Sequence, residues 1–454
     1  MPSASAVVQI SARGQQDSVL SGSPDYTIWK STHSRFTSFA CDDEILELSN
    51  TAWNTSTTAT ISRYGDLVNR ITLEITLPPI EAPVIENATA AAAYYVNAVG
   101  FAIWESCSLE IGGAAVDEIY SDFAAIYEEL AGRPGVRLGE AIGKVAYSTA
   151  ADDDLIELAQ KEQVLYTPIP FFFSKYQPMT YGLALPIVAL SFHDIKFKLK
   201  TRSIADTTCV VYKESEGGAW QLSESSTPVN SSTGATLSPA DLGLRLIVSY
   251  VYLDSSERNA MSSTSHSLVI NTSQRQVLNI AAGVATKIEN RLFFNHPASS
   301  LIWVLRPLSW NTAAGRRRFS VGFRDRYDYS HKMVAEDGEE VYTCGNSTDP
   351  LKTVSLTLNG HSRWPTDSDA RFFRTHVPHT SWRTMPTSNI YSYAFGLSPA
   401  EWQPTSTLNF SRLDNVSLAT TFADNIEQSE LLVFVEAYNL LVINEGLGGL
   451  RFSN

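Results

Sequence analysis

The chain has 454 residues, a hydrophobic fraction of 44%, a charged fraction of 18% and a formal net charge of −14. This length exceeds what one hydrophobic core usually holds, and it predicts two domains or one large body with two cores. The acidic balance argues against direct binding of nucleic acid over a broad surface, because an acidic protein repels phosphate. No apolar run reaches the roughly 18 residues that a membrane-spanning helix needs.

Four cysteines, at positions 41, 107, 209 and 344, lie far apart and form no C-x-x-C pair. This spacing argues against a zinc site and against a disulfide framework, and it fits a reducing compartment. We therefore expect buried thiols. The first residues lack the charged and apolar regions of a signal peptide, which predicts that the protein is made and kept in the cytoplasm.

Residues 1–24 are polar with small side chains, and they predict a loose N-terminal arm. From residue 25 the sequence changes to short β-type runs separated by turn residues. The run IKFKLK at 195–200 is typical, because its alternate residues are apolar. One helix is predicted over 116–132, where apolar residues recur at helical spacing until Gly132 ends the pattern.

We place a first β-domain at 25–254, a polar connector at 255–265, a second β-domain at 266–445 and a C-terminal tail at 446–454. Within the first domain, residues 204–243 are rich in Ser, Gly and acidic residues, which predicts a long exposed loop. A dozen or more short strands with few helices predict an all-β protein of sandwich type.

The two halves of the sequence resemble each other. The pattern P-x-x-x-L-x-F-x-x-[I/L] begins at Pro186 and again 218 residues later at Pro404. A period of about 220 residues is too long for a solenoid, and it predicts a duplicated β-sandwich. Two further pairs of segments occur in the same order: SLEIGG at 108–113 with SLTLNG at 355–360, and PFFFS at 170–174 with IYSYAF at 390–395.

Few residues point to catalysis or metal binding. The run Asp152–Asp154 and the pair Glu128 and Glu129 lack the D-x-D-x-D-G register of a calcium loop, and a solvated loop or helix face explains them better. The fold can still bring two carboxylates together, as in a glycosidase. His376 and His379 belong to no metal-binding motif. With no nucleophile elbow, phosphate loop or dinucleotide fingerprint, we predict no catalytic residue, no cofactor and no metal site.

The run GRRRFSVGFRDRYDYS at 315–330 concentrates five arginines among aromatic residues. Alone it suggests nucleic acid, or a sulfated or phosphate ligand. Because Asp325 and Asp328 lie inside it and the chain is acidic, we favour an exposed loop or a contact with an acidic neighbouring subunit. Without a signal peptide, we expect little use of the seven N-x-S/T sequons. They begin at Asn54, Asn87, Asn230, Asn271, Asn346, Asn409 and Asn415.

The segment PIPFFFSKYQPMTYGLALPIVALSFHDIKFKL at 168–199 strongly resembles one in the major capsid proteins of nucleocytoplasmic large DNA viruses, such as chlorella viruses and iridoviruses. In that family P-x-x-F-F-F is followed by G-L-A-L-P and an alternating strand. Asp254, Glu257 and Arg258 match the family's D-x-x-E-R at the junction between its two domains. The resemblance extends from about residue 21 to residue 450.

The resemblance implies a double jelly roll, which is two eight-stranded sandwiches in tandem with short helices in the loops. It implies that three copies form a pseudo-hexagonal homotrimer and that neighbouring capsomers tile an icosahedral virion shell assembled in the host cytoplasm. Minor capsid and penton proteins are implied partners. In the family the shell surrounds an internal membrane and does not contact DNA directly. The loops at 132–165, 204–243 and 311–350 depart from the resemblance and would form outward surface.

A second hypothesis is a carbohydrate-binding or carbohydrate-active protein on tandem β-sandwiches, with Trp364 or Trp402 stacking on a sugar. Capsid-type segments without a metal or nucleophile motif favour the structural, non-enzymatic protein. For PFFFS we predict an extended segment, because alternate side chains of a strand point to opposite sides. Phe171 and Phe173 would then face one way and Phe172 the other, where sandwich meets sandwich or copy meets copy.

Overall fold

The structure is a computed structural model in which the chain forms two units, residues 1–39 and residues 40–454. The first unit contains helices α1 (Ala4–Ser11) and α2 (Asp17–Ser21), neither of which has a buried residue. The predicted loose arm is therefore partly helical. The structure describes residues 4–25, 27–29, 33, 35–132, 138–145, 151–176, 183–215, 221–223, 227–283, 286–308, 326–327, 329, 332–334, 340–342, 349–364, 368–423 and 426–452.

Two β-sandwiches make up most of the second unit. In the first sandwich a sheet of order β1-β8-β3-β6 packs on a sheet of order β2-β7-β4-β5. These strands are β1 (Phe39–Glu47), β2 (Ser56–Thr60), β3 (Leu67–Leu77), β4 (Trp104–Ile111), β5 (Ala114–Tyr120), β6 (Gln163–Pro168), β7 (Ile195–Thr201) and β8 (Gly243–Leu253).

The second sandwich repeats this topology with sheets of order β9-β16-β11-β14 and β10-β15-β12-β13. Each strand thus has its counterpart eight strands later, and the fold is the predicted double jelly roll. The strands are β9 (His266–Ile280), β10 (Ile288–Arg291), β11 (Pro297–Pro307), β12 (Leu351–Leu358), β13 (His361–Ser362), β14 (Ile390–Ala394), β15 (Val416–Phe422) and β16 (Ser429–Asn444).

Shorter elements connect these strands. The helices are α3 (Val99–Ala102), α4 (Ser121–Ala131), α5 (Ala151–Ala159), α6 (Ile204–Thr207), α7 (Ser255–Ser263) and α8 (Val377–Ser381), with a π-helical turn at Phe372–His376 and 3-10 turns at Gly139–Ile142, Ile187–Ala189, Pro239–Asp241 and Phe410–Arg412. The short strands are Ile80–Glu81, Ala90–Tyr95, Leu185–Pro186, Thr208–Lys213, Gln221–Leu222, Val229–Asn230, Lys332–Val334, Glu340–Tyr342, Ser368–Asp369, Leu408–Asn409 and Leu447–Leu450.

The predicted duplication is confirmed, but its register is wrong by five residues. Leu185–Pro186 pairs with β3 as Leu408–Asn409 pairs with β11, and a 3-10 turn follows each pair. Phe410 begins its turn and is buried, so its counterpart is Ile187, whereas Phe192 is exposed. IYSYAF was also matched to the wrong segment: it forms β14, whose counterpart is β6, the strand that precedes PFFFS. The sequence comparison missed these shifts because residues of similar type recur at similar spacing in non-equivalent segments.

The matched segments SLEIGG and SLTLNG do occupy equivalent positions. The first ends β4 with Gly112 and Gly113, the second ends β12 with Asn359 and Gly360, and all four residues have positive φ. Left-handed backbone at both central residues is the geometry of a tight hairpin turn. At Gly112 a Cβ atom would also lie 2.5 Å from Nδ1 of His193, whereas the space at Gly113 is open.

We expect Gly112→Ala to lower the free energy of unfolding by about 2–3 kcal/mol, and Gly113→Ala by only about 1 kcal/mol. Both substitutions impose a side chain on left-handed backbone, but only the first adds a steric clash. Urea unfolding of the two variants measures the difference. Equal losses would show that the contact with His193 contributes nothing.

The predicted helix over 116–132 is wrong in its first third. Residues 114–120 form β5, which pairs with β4, and only Ser121–Ala131 is helical. Val116 and Ile119 are both buried, and their spacing did not distinguish strand from helix. The tight turn at Gly112 and Gly113 decides for the strand, because it brings this segment alongside β4.

The predicted exposed loop over 204–243 is wrong in its first part. Thr208–Lys213 is a strand paired with Ala90–Tyr95, and its first four residues are buried. The composition of the segment is dominated by the surrounding polar residues, so it did not indicate this short apolar run. Cys209 belongs to it, and Cys107 is also buried as expected. Cys41 departs from that expectation, since it is exposed on the edge strand β1, and Cys344 lies outside the described residues.

Candidate functional site: the junction between the two sandwiches

The sheet β9-β16-β11-β14 is buried on both of its faces. Trp303 and Val433 point into the core of the second sandwich, while their neighbours Ile302 and Phe434 pack into the core of the first. This arrangement explains why β11 is almost entirely buried instead of alternating. Helix α4 of the first sandwich covers the outer face, where the rings of Phe123 and Phe434 are 5.8 Å apart.

Asp122 on α4 is buried among three arginines. Nη1 of Arg306 donates to its two carboxylate oxygens at 3.1 and 3.2 Å. Nε of Arg326 lies 3.6 Å away and Nη2 of Arg202 lies 4.0 Å away. Burial alone would raise the pKa of Asp122, but the three guanidinium groups hold it below its usual value. A charged carboxylate therefore joins α4 of the first sandwich to β11 of the second.

This cluster corrects the interpretation of the arginine-rich run at 315–330 for its described residues, 326, 327 and 329. Arg326 is not exposed, because it enters the cluster around Asp122, and Tyr327 and Tyr329 beside it are buried. Its acidic partner belongs to the same chain. The sequence did not indicate this contact, since 204 positions separate the two residues. The other four arginines of the run, Arg316, Arg317, Arg318 and Arg324, lie outside the described residues.

A second ion pair crosses the junction between Lys175 and Glu436. Their Nζ and Oε1 atoms are 3.3 Å apart, and both side chains are 0% exposed. Ser300 donates to the other carboxylate oxygen at 3.1 Å. The ammonium group also lies over the rings of Phe123 and Tyr127, at 5.0 and 5.6 Å from their centroids.

The turn that contains Phe171–Phe173 positions Lys175 for its ion pair with Glu436. They do not form the predicted extended segment, because the chain turns after β6 and the carbonyl of Phe171 accepts from the N–H groups of Ser174 and Lys175. All three rings are buried: Phe171 stacks on Phe173 at 5.8 Å, and Phe172 meets Phe173 edge-on at 5.1 Å. In a turn the side chains need not alternate, which is why the prediction failed.

The pair Glu128 and Glu129 does not lie on a solvated helix face. Oε2 of Glu129 accepts from the N–H of Thr387 at 3.2 Å, and Oε1 accepts from the hydroxyl of Ser388 at 3.2 Å and from Lys144 at 3.3 Å. Burial raises the pKa of Glu128 to about 7. This end of α4 is therefore tied to the segment before β14. Asp152–Asp154 begin α5, but their side chains lie outside the described part of the structure.

Two further contacts attach the ends of the second sandwich. In the D-x-x-E-R segment, Nε of Arg258 on α7 donates to Asp66 at 2.6 Å, and the same carboxylate accepts from the N–H of Leu253 at 2.8 Å. At the other end, Nδ1 of His193 lies 3.0 Å from the carbonyl oxygen of Gly448. The junction thus extends from the connector to the C-terminal strand.

Asp117 gives the junction a pH dependence. Burial raises the pKa of this carboxyl group to about 7, although Lys175 and the N–H of Phe172 lower it in part. Between about pH 4 and 7 the folded protein therefore holds a proton that the unfolded chain releases. We expect the contribution of Asp117 to stability to fall as pH rises through this window.

The substitution Asp117→Asn is expected to flatten this slope, because asparagine does not titrate. Urea unfolding at pH 4.5, 6 and 7.5 measures it, with unsubstituted protein in the same buffers. Glu128 has a pKa raised in the same direction and contributes the slope that remains. A slope unchanged by the substitution would refute the assignment to Asp117.

The residues named for sugar or metal binding are not brought together. Trp364 is core, with its ring 4.5 Å from that of Tyr393 and its Nε1 donating to the carbonyl of Val354. Trp402 is half-exposed at a cavity of about 260 Å³. Within the described ranges no three His, Cys, Asp or Glu residues lie close enough to hold a metal ion. The described part also contains no helix that is long and apolar enough to cross a membrane.

Burial divides the described sequons into accessible and inaccessible ones. Asn230 and Asn271 are buried, which removes them as acceptors in the folded protein, whereas Asn54, Asn87 and Asn415 are exposed. Asn346 lies outside the described residues. Asn271 belongs to the junction instead, since its amide donates to the hydroxyl of Tyr176 at 2.8 Å.

The fold defines the class of this chain as a double jelly roll, with an extensive apolar and ionic junction between its two sandwiches. Residues 27–254 match the family described as major capsid protein N-terminus, and residues 257–449 match the large eukaryotic DNA virus major capsid protein. The chain belongs to this family of major capsid proteins, and its place is the virion shell.

Two relatives with this name match the chain over nearly its whole length. It is 30% identical to the major capsid protein of Pyramimonas orientalis virus over 99% of both chains. It is 26% identical to that of Paramecium bursaria Chlorella virus 1, over 99% of this chain and 100% of the relative. Nothing in the comparisons supports the carbohydrate-binding alternative.

Solved capsid structures share the fold. The PBCV-1 virus capsid gives a TM-score of 0.72 at 22% identity, covering 94% of this chain and 100% of that one. The Faustovirus major capsid protein gives 0.71 at 12% identity, covering 97% and 96%.

Proposed function

We propose that three copies of this major capsid protein form a pseudo-hexagonal homotrimer and that neighbouring capsomers tile an icosahedral shell. The observation that carries the proposal is the repeated strand order of the two sandwiches. Three chains supply six similar sandwiches, so a three-fold unit can occupy a site with six neighbours. The junction also joins unlike surfaces, a helix of one sandwich and a sheet of the other. Such a heterologous contact can continue from copy to copy until a ring closes.

We further propose a division into an arm at 1–24, jelly rolls at 25–254 and 266–445 joined by a connector at 255–265, and a tail at 446–454. Minor capsid and penton proteins complete the shell, whose inner side faces a membrane. The net charge of −14 supports a shell without direct nucleic-acid contact. Assembly takes place in the host cytoplasm, and the protein has no enzymatic activity.

Sedimentation of the purified protein and electron microscopy test the assembly. The expected species has three times the chain mass of 49.9 kDa and packs into hexagonal arrays. A monomer that is retained on a glycan column would overturn the proposal.

A further inference from the structure

The sheet β1-β8-β3-β6 of the first sandwich is equivalent to the doubly buried sheet of the second, but among the described residues its outer face carries exposed side chains. From Ile71 onward along β3, buried residues alternate with half-buried ones, and Arg70 before them is exposed. On the neighbouring strands Ile45, Tyr166 and Arg245 are exposed.

In the second sandwich the matching face is covered by α4. The first sandwich therefore has the structural equivalent of a surface that the chain elsewhere uses for docking, with Thr72 and Glu74 in place of Ile302 and Val304.

Strand pairing sets the equivalence of the two sheets residue by residue. The short strands Leu185–Pro186 and Leu408–Asn409 pair so that Val68 of β3 corresponds to Ala298 of β11. Four residues further along each strand lie Thr72 of β3 and Ile302 of β11. Their pairing partners are Ile247 on β8 and Phe434 on β16, which therefore correspond to each other. Phe434 is the residue that receives the ring of Phe123 from α4.

The second sandwich has a free copy of the helix. The helical segment 370–381 follows β13 as α4 follows β5. Phe123 and Tyr127 are the third and seventh residues of α4, and Phe372 and His376 are the third and seventh of segment 370–381. The ring centroids within each pair are 5.8 and 5.0 Å apart. Phe123 is 0% exposed, whereas Phe372 is 44% exposed and lacks a sheet to cover it in the described part of the chain.

The charges of the two contacts are opposite in sign. Helix α4 carries three acidic residues and no basic one, and the edge strand β9 beside it carries no acidic residue and places Arg275 over the ring of Tyr120 at 3.6 Å.

Segment 370–381 carries two arginines, two histidines and no acidic residue. Arg374 is buried in an ion pair with Asp349, so Arg371 is the exposed arginine of the segment. Edge strand β1 carries four acidic residues, Asp42, Asp43, Glu44 and Glu47, and no basic one, and within the described residues only Glu47 forms an ion pair, with Arg245 of the neighbouring strand β8.

We propose that segment 370–381 of one copy docks on the outer face of the sheet β1-β8-β3-β6 of the next copy, with Phe372 against Ile247 and the basic segment beside acidic β1. This seam rests on the proposed trimer and repeats the internal junction with reversed charge. An acidic α4 is repelled by β1, so the two helices cannot exchange sheets. The charges thereby enforce strict alternation of first and second sandwiches around the ring.

The substitution Phe372→Glu tests the apolar part of the seam. It places a charge in a contact that would otherwise be dry, and we expect the concentration for half-dissociation of the trimer to rise at least ~30-fold. The matched control is Phe293→Glu, at another exposed phenylalanine, which is expected to leave the trimer unchanged. Sedimentation over a dilution series measures both variants. Circular dichroism and melting show that each remains folded, as expected for exposed positions.

Arg371→Glu tests the charge part. We expect a roughly fivefold to tenfold weakening, and partial recovery when Asp43→Arg is added, because every seam then carries the reversed pair. Asp43 is chosen because it accepts from Ser249 of the same sheet, whereas Glu47 is paired with Arg245 of its own chain.

The seam would be refuted, without refuting the trimer, if Phe372→Glu left the concentration for half-dissociation of the trimer unchanged. It would also be refuted if the double variant dissociated more readily than Arg371→Glu alone. A wild-type chain that stays monomeric at high concentration overturns the trimer and the seam together.

Discussion

Asp122→Ala is expected to lower the free energy of unfolding by about 3–5 kcal/mol, the range found when one partner of a buried ion pair is removed. The loss is large because Arg306, Arg326 and Arg202 would remain close together with their shared anion gone. Urea unfolding at pH 7 measures the change. Asp414→Ala is the matched control, since this exposed carboxyl group should alter stability by less than about 0.5 kcal/mol.

The pH profile of this variant provides a second criterion. The pKa of Asp122 lies below its usual value in the folded protein. Its contribution is therefore complete above about pH 4 and is lost as pH falls further. The difference between wild type and Asp122→Ala should shrink below pH 4. A difference that is the same at pH 3 and pH 7 would mean that the variant loses packing and not an ion pair.

Lys175→Met and Glu436→Leu, made singly, should each lower the free energy of unfolding by about 3–5 kcal/mol. Each leaves a fully buried charge without its counterion. The double variant should recover most of that loss, because two apolar side chains of similar size replace the pair. A double-mutant cycle of urea unfolding measures the coupling.

Ser300 and the rings of Phe123 and Tyr127 surround the pair and stay in place in all three variants. The cycle is measured at pH 5, below the pKa of about 7 of Asp117, so that this neighbour of Lys175 is protonated in the folded protein and the background stays constant. Additive losses would contradict the prediction. They would show that each charge is stabilised by these neighbours independently of its partner.

The sequence predicted the parts of the fold that depend on local patterns. The alternation in IKFKLK and the glycine turns after SLEIGG and SLTLNG both correspond to strands and hairpins in the structure. Local spacing was insufficient where two periods fit the same residues, as at Val116 and Ile119. It also failed where a turn replaced a strand, as at Phe171–Phe173.

The junction was beyond reach of sequence patterns for a different reason. Its ion pairs join residues that are 184 positions apart for Asp122 and Arg306 and 261 apart for Lys175 and Glu436. No periodicity within one strand or helix indicates such partners. One signal is present in the sequence: LIWVL in β11 and LLVFV in β16 are unbroken apolar runs, as a sheet covered on both faces requires.

The doubly covered sheet makes the second sandwich dependent on the order of synthesis. Domains fold as units and the N-terminal one forms first on the ribosome, so α4 is in place before β9, β11 and β16 leave the exit tunnel. The nascent sheet then closes onto Phe123 while its other face builds its own core. If the order of the two sandwiches along the chain were exchanged, Ile302 and Phe434 would be exposed to water until α4 was synthesised, as an apolar surface prone to aggregation. The arrangement of the two domains along the chain is thus itself a safeguard against aggregation.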